Sequence, residues 1–177
     1  MTESVRLIPC DEGRHASAIL AILNDAIVHS TALYDYVPRP PASMAGWFAG
    51  KRAGGFPVIG AVDGGDSLVG FATFGAFRPH PAYKYTVEHS VYVHRDQRGR
   101  GLGRHLLAAL VDAAVAQDYH VMIGAIDADN AGSIALHEAL GFRLAGRLPQ
   151  VGFKFGRWLD LALYQRILAT PAAPIDG

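Results

Sequence analysis

Four arginines, Arg95, Arg98, Arg100 and Arg104, surround three glycines, Gly99, Gly101 and Gly103, in one short stretch of the chain. Guanidinium groups and backbone N–H groups left bare by glycine suit one kind of ligand, an anion with several oxygens. Just upstream, Val87, His89, Val91 and Val93 alternate with Glu88, Ser90 and Tyr92, the period of a β-strand. Just downstream, Leu106, Leu107, Leu110, Val111, Ala114 and Val115 recur at helical spacing, which predicts a helix over Leu102 to Ala116. A strand, a basic glycine-rich turn and a helix N-terminus together bind a diphosphate. Two common diphosphate motifs do not fit. No G-x-x-x-x-G-K-S/T is present. The glycines run G-x-G-x-G late in the chain, whereas a dinucleotide fingerprint runs G-x-G-x-x-G in the first βα turn.

The rest of the chain must position this stretch. Its 177 residues suit a single domain, expected over 1–168, with 169–177 as a flexible tail. Acids and bases balance at 16 each, so no broad field for nucleic acid is expected, and the arginine run stands out against a neutral background. The single cysteine, Cys10, excludes an intrachain disulfide and a multi-cysteine zinc site. Eight histidines lack H-E-x-x-H or other close ligand spacing, and no metal is expected. No apolar run reaches membrane length and no signal-peptide pattern opens the chain, so the expectation is a cytoplasmic protein without membrane partners.

In order, the pattern predicts a strand over Val5 to Pro9 and a helix from Asp11 or Glu12 to Val28. A proline-ended, aromatic segment follows, in which Tyr34 and Tyr36 read as packed loop or as pocket wall. Ser43 is expected to cap a short helix that Gly54 and Gly55 end. Strands over Phe56 to Val62 and Leu68 to Phe77 are expected around a turn at Asp63 to Asp66. Beyond the central stretch come a strand over Tyr119 to Ile126 and a helix capped by Asp129 or Asn130 that stops at Gly141. A turn lies within Val151 to Trp158 and a last strand runs over Trp158 to Ile167. The mixture predicts an α/β fold with a mixed sheet.

Arg98-x-x-Gly101-x-Gly103 resembles the Q/R-x-x-G-x-G/A loop of the GNAT superfamily of N-acetyltransferases, which holds the pyrophosphate of acetyl-CoA. The segment from Asn130 through Ser133, His137 and Gly141 to Phe142 resembles that superfamily's second motif, on the helix beside the CoA arm. The stretches Tyr85 to Val93 and Val151 to Trp158 are similar to the branch of phosphinothricin, methionine sulfone and methionine sulfoximine N-acetyltransferases, nearer the methionine-derivative type. The resemblance runs from about Val5 to Leu168. It implies a mostly antiparallel sheet with a splayed central strand pair, flanked by helices. It also implies acetyl-CoA as cosubstrate, a small amino-acid-like substrate and a homodimer.

The same resemblance assigns residues. Arg98, Gly99, Arg100, Gly101, Leu102, Gly103 and Arg104 are expected to hold the pyrophosphate, with Asn130 and Ser133 on the pantetheine or phosphate region. Backbone N–H groups of Val91, Tyr92 and Val93 would meet the oxyanion. Glu88 is the expected base, acting directly or through a water, or else an ammonium anchor; its apolar strand would raise its pKa. His137 is expected to protonate the leaving thiolate. Arg78 would hold the substrate carboxylate, with Tyr83 and Phe74 lining the site and Tyr92 as a further lining residue. Lys154 and Arg157 would reach a neighbouring subunit. Acetylation of another small amine or a protein N-terminus, and a non-catalytic acyl-CoA-binding module, are the competing functions.

Overall fold

The computed structural model describes residues 5–176. Among them are seven strands, β1 (Arg6–Pro9), β2 (Val58–Val62), β3 (Leu68–Ala76), β4 (Thr86–Val93), β5 (Val121–Asp127), β6 (Arg143–Lys154) and β7 (Arg157–Ile167). The four α-helices are α1 (Glu12–His29), α2 (Ser43–Ala53), α3 (Leu102–Ala116) and α4 (Ala131–Ala139). The strand order is β1-β2-β3-β4-β5-β7-β6, mostly antiparallel with one parallel pair. This is the mixed α/β fold that the resemblance implied. The described residues group into two compact units, 5–74 with 90–110 and 75–89 with 111–176, so β4 contributes to both.

The first unit is built on α1. Ile19, Ile22 and Leu23 repeat at helical spacing and are buried with Met44 and Phe48 of α2 against Val58 and Phe71 of the strands. Asp11 caps α1 by accepting the Arg14 N–H at 2.8 Å, a contact worth about 1 kcal/mol. Ser43 does not cap α2. It is the helix's first residue, and its hydroxyl donates to the Pro40 carbonyl at 2.7 Å. Phe71 is fully buried and meets Trp47 edge-on at 6.1 Å between ring centres, so its truncation to alanine costs about 3–5 kcal/mol.

In the second unit, β4 pairs with β5 in parallel over Thr86↔Val121, Val87↔Met122 and Glu88↔Ile123, and the ladder stops at Glu88. Strand β5 continues to Asp127 in antiparallel register with β7. This short ladder is the splayed central pair. The strand β6 is an element that periodicity misses. Most of its residues are exposed, Pro149 lies within it, and its register shifts twice against β7, so no apolar alternation marks it. Phe155 and Gly156 link it to β7, both at positive φ, as a two-residue hairpin turn requires. The C-terminal segment, expected to be mobile, is tied back: Thr170 donates to the Tyr119 carbonyl at 2.6 Å and the Ile175 N–H to the Tyr85 hydroxyl at 3.2 Å.

Candidate active site

The basic loop lies in the first unit, directly after β4. Gly99 and Gly101 take φ of +76° and +78°, the left-handed region that glycine alone enters without strain. Two such residues so close together bend the chain sharply before Leu102 opens α3. Arg98, Gly99, Arg100, Gly101 and Arg104 are exposed, Gly103 is half-buried, and Leu102 is buried as the apolar anchor of the helix. Arg98 donates from Nε to the Val93 carbonyl at 3.2 Å, which ties the loop to the end of β4. One turn earlier, Arg95 is bonded to Asp25 of α1 and lies 2.8 Å from Nδ1 of His29. No sequence pattern singled out that tether, because it joins residues 66 and 70 apart.

Val91, Tyr92 and Val93 are half-buried on β4. The Tyr92 ring packs on Phe71 at 5.5 Å and joins the core edge.

The second unit holds Glu88. It is the last residue of the parallel ladder, and its side chain is 38% exposed. Burial pushes its carboxyl above the usual range, and the Arg78 guanidinium, 4.0 Å away, pulls in the opposite direction. Arg78 is itself held. It lies over the Phe77 ring at 4.2 Å and donates to the Phe77 carbonyl at 2.9 Å. Tyr83, on the short turn Pro81–Tyr83, meets Phe77 edge-on at 5.6 Å and stays 43% exposed. Carboxylate, guanidinium and phenol therefore gather on and just before β4. Such a group can anchor an amino acid by its carboxylate and take a proton from its amine.

Asn130 caps α4, its Oδ1 accepting the Ser133 N–H at 3.0 Å. Arg157 donates to Asp129 beside it at 2.9 Å.

Three expected roles do not match their placement. Phe74 is fully buried, edge-on to Phe56 at 5.8 Å, and offers no surface to a substrate. Its carbonyl accepts from Lys51 at 2.8 Å, a lysine whose pKa burial lowers to about 8. Lys154 is only 3% exposed, its ammonium 5.0 Å over the Phe155 ring, so it does not extend outward toward another subunit. His137 is also only 3% exposed, so it is not presented to a thiol as a general acid. Its Nδ1 lies 2.6 Å from the Ser133 carbonyl and its Nε2 lies 3.0 Å from Nε2 of His89. Desolvation lowers its pKa, against the raising effect of the Ser133 bond. In the sequence His89 stood only as one residue of the alternating strand and of the stretch shared with the methionine-derivative branch, and its pairing with His137 across 48 positions carried no local signal. Tyr36, read as packed loop or as pocket wall, is 71% exposed.

Comparison with known proteins shows the family of the chain. Residues 21–142 match the model of the Acetyltransferase (GNAT) family. The chain is 48% identical over 157 residues to the L-methionine sulfoximine/L-methionine sulfone acetyltransferase of Pseudomonas paraeruginosa, covering 88% of this chain and 91% of that protein. It is 37% identical over 166 residues to the phosphinothricin N-acetyltransferase of Alcaligenes faecalis, covering 93% and 82%. A GNAT superfamily phosphinothricin acetyltransferase from Sinorhizobium meliloti, solved in complex with acetyl-CoA, superposes with a TM-score of 0.91 at 36% identity, over 98% of this chain and 93% of that one. With its basic glycine loop after β4 and its strand carboxylate at the end of the parallel ladder, this chain belongs to the acetyltransferase (GNAT) family.

Proposed function

We propose that this acetyltransferase moves the acetyl group of acetyl-CoA onto the α-amine of a small amino acid with a tetrahedral sulfur or phosphorus group, such as L-methionine sulfone, L-methionine sulfoximine or L-phosphinothricin. One observation carries the reading: a half-buried carboxylate, Glu88, with its pKa pushed up, stands 4.0 Å from the half-exposed guanidinium of Arg78. That pair supplies a base and a carboxylate receptor a few ångströms apart. The names of the relatives point to the same substrates.

In this reading, backbone N–H groups of Gly99, Gly101 and Gly103, with Arg98, Arg100 and Arg104, hold the pyrophosphate. Asn130 contributes its amide and Ser133 its hydroxyl to the pantetheine arm. Arg78 takes the substrate carboxylate and Tyr83 lines the approach. Glu88 removes a proton from the ammonium, directly or through a water, because only the free amine has the lone pair that attacks the thioester. The amine nitrogen bonds to the carbonyl carbon and the C–S bond then breaks; the nitrogen's second proton passes to the departing sulfur, directly or through a water, so that the amide and the free thiol of coenzyme A result, and N–H groups of Val91, Tyr92 and Val93 stabilise the oxyanion between those events. Residues 1–168 act as one acetyltransferase domain in the cytoplasm, as a homodimer. The apolar side chains exposed on β6 and β7 support the dimer, among them Leu144 and Trp158 at 57% and 60%.

Release of coenzyme A, followed with a thiol reagent, tests the reading across L-methionine sulfone, L-methionine sulfoximine, L-phosphinothricin, ordinary L-amino acids and peptides with free N-termini. Saturable turnover is expected with at least one of the first three. Glu88→Gln is expected to lower kcat by about 100- to 10,000-fold and to leave acetyl-CoA binding intact. Turnover with peptides alone would sink the substrate assignment, and acetyl-CoA binding without turnover would leave a binding module.

A further inference from the structure

The buried pair His89–His137 has a hydrogen-bond direction that the structure determines. The Ser133 carbonyl can only accept, so Nδ1 of His137, 2.6 Å away, carries the proton. Neutral His137 then has only a lone pair at Nε2. Nε2 of His89, 3.0 Å away, must therefore be the donor. The remaining nitrogen, Nδ1 of His89, is buried without a hydrogen-bond partner among the described residues. Reversing the chain would set a lone pair of His137 against the carbonyl oxygen at 2.6 Å, and charging His89 would leave a buried donor with no acceptor.

The surroundings enforce the same state. The rings lie nearly parallel with centres 4.9 Å apart, and Phe142 meets both edge-on. Strand β5 supplies Gly124, where a Cβ would fall 2.7 Å from Nε2 of His89 and 3.0 Å from Nε2 of His137. Only a glycine leaves room for the pair. Among titratable groups, Tyr164 of β7 lies 6.5 Å from His137 between ring centres, and its hydroxyl donates to Glu138 of α4 at 3.2 Å. On β4, Glu88 projects to the opposite side of the strand. The fully engaged His137 explains why it is unsuited to donate to a thiolate.

We propose that His89 and His137 are positioning residues: a neutral, one-directional hydrogen-bond chain from β4 through His137 to Ser133 that fixes the strand at the residue next to Glu88. The proposal rests on the acetyl-transfer reading. Glu88 is where the parallel ladder stops, so the backbone beyond it loses its β5 partner at the point where the base must be held. The side-chain bond at His89 replaces the missing ladder bond. It also links the base's strand to the first turn of α4, which carries Asn130 and Ser133.

Nitrogen-15 NMR of histidine-labelled wild-type protein tests the chain without any variant. His137 is expected as the Nδ1–H tautomer and His89 as the Nε2–H tautomer, with both rings titrating below the ordinary histidine value. His137 in the Nε2–H form, or either ring titrating near its ordinary value, overturns the chain. The positioning role is tested by kinetics with L-methionine sulfone. His89→Leu is expected to lower kcat about 30- to 100-fold with the amine KM within about 2-fold, since small misplacements of a catalytic group cost about that much. His89→Gln, whose amide can still donate to His137, is expected to recover kcat to within about 3-fold of wild type, as a preserved hydrogen bond implies. Wild-type kcat in His89→Leu, or a glutamine variant as slow as the leucine one, overturns the positioning role and leaves the reaction assignment standing. If His89→Leu does not fold, Gly124→Ala, which wedges the rings apart, takes its place with the same expected fall in kcat. A wild-type enzyme inactive on the whole panel removes the reaction assignment and the positioning role together, while the tautomers still decide the chain.

Discussion

Glu88 is subject to two opposing influences: burial raises its pKa and Arg78 lowers it. A base must be deprotonated to act, so the acid limb of the pH–kcat/KM profile reports this balance. Removing the guanidinium in Arg78→Ala leaves the raising influence unopposed. The acid limb is then expected to move to higher pH. The same change removes the proposed carboxylate receptor, and a lost charge-assisted hydrogen bond is expected to raise the amine KM about 10- to 100-fold. Steady-state kinetics from pH 5.5 to 9 check both effects. A limb that stays in place, or moves to lower pH, would show that Arg78 does not act on the base. Under the proposed reaction, substrate binding would work in the same direction as the variant: a carboxylate on Arg78 would neutralise the charge that holds Glu88 down and make it a stronger base.

Among the elements, the loop before α3 and the strand β6 show opposite relations between pattern and structure. The loop announces itself through glycine, because a φ near +76° to +78° suits little else. Gly101→Ala is therefore expected to cost the loop about 1–2 kcal/mol. That corresponds to a rise of about 5- to 30-fold in the KM for acetyl-CoA, with the amine KM unchanged. Equal rises in both constants would show that the loop does not act on acetyl-CoA alone. The strand β6 announces nothing. It is an edge strand with both faces largely exposed, so neither alternation nor a continuous apolar run develops, and its existence depends on pairing with β7.

At the scale of the whole molecule, two quantities are open to measurement. The first is stability against pH. Histidine in an unfolded chain titrates near about 6.5. Burial and the neighbouring His137 depress His89 to about 3 in the folded protein, and desolvation depresses His137 as well. Between these values the unfolded chain binds protons that the folded chain does not, so stability is complete above the unfolded pKa and falls as the pH falls below it. The melting temperature is expected to drop from pH 7.5 to 5, with a shallower drop in a His89→Gln/His137→Gln double variant. An unchanged slope in that variant would assign the effect to other groups. The second quantity is assembly. Trp158 and Phe155 are 60% and 57% exposed, and Phe153 stands beside Trp158 at 5.0 Å. If these side chains are covered in a homodimer, Trp158→Glu with Phe155→Glu is expected to shift the light-scattering mass from two chains to one. A wild-type mass of one chain would remove the dimer.

The amino-acid sequence by itself determined the features that local chemistry dictates. The basic glycine turn, the helices α1 and α3, the starts of α1 and α4, narrowed to Asp11 or Glu12 and to Asp129 or Asn130, and the carboxylate at Glu88 were legible because each rests on spacing of a few residues or on the special φ of glycine. The resemblance carried by those motifs reached the family and the fold, including the central pair that parts after Glu88. Only the tertiary structure decided which side chains face inward and what they meet there. It turned Phe74 into core, held Arg78 beside Glu88, buried Lys154 and joined His137 to His89 over the space left by Gly124. These outcomes depend on contacts between residues far apart in the chain, and on the cost of burying a polar group without a partner. Periodicity along one segment reports neither.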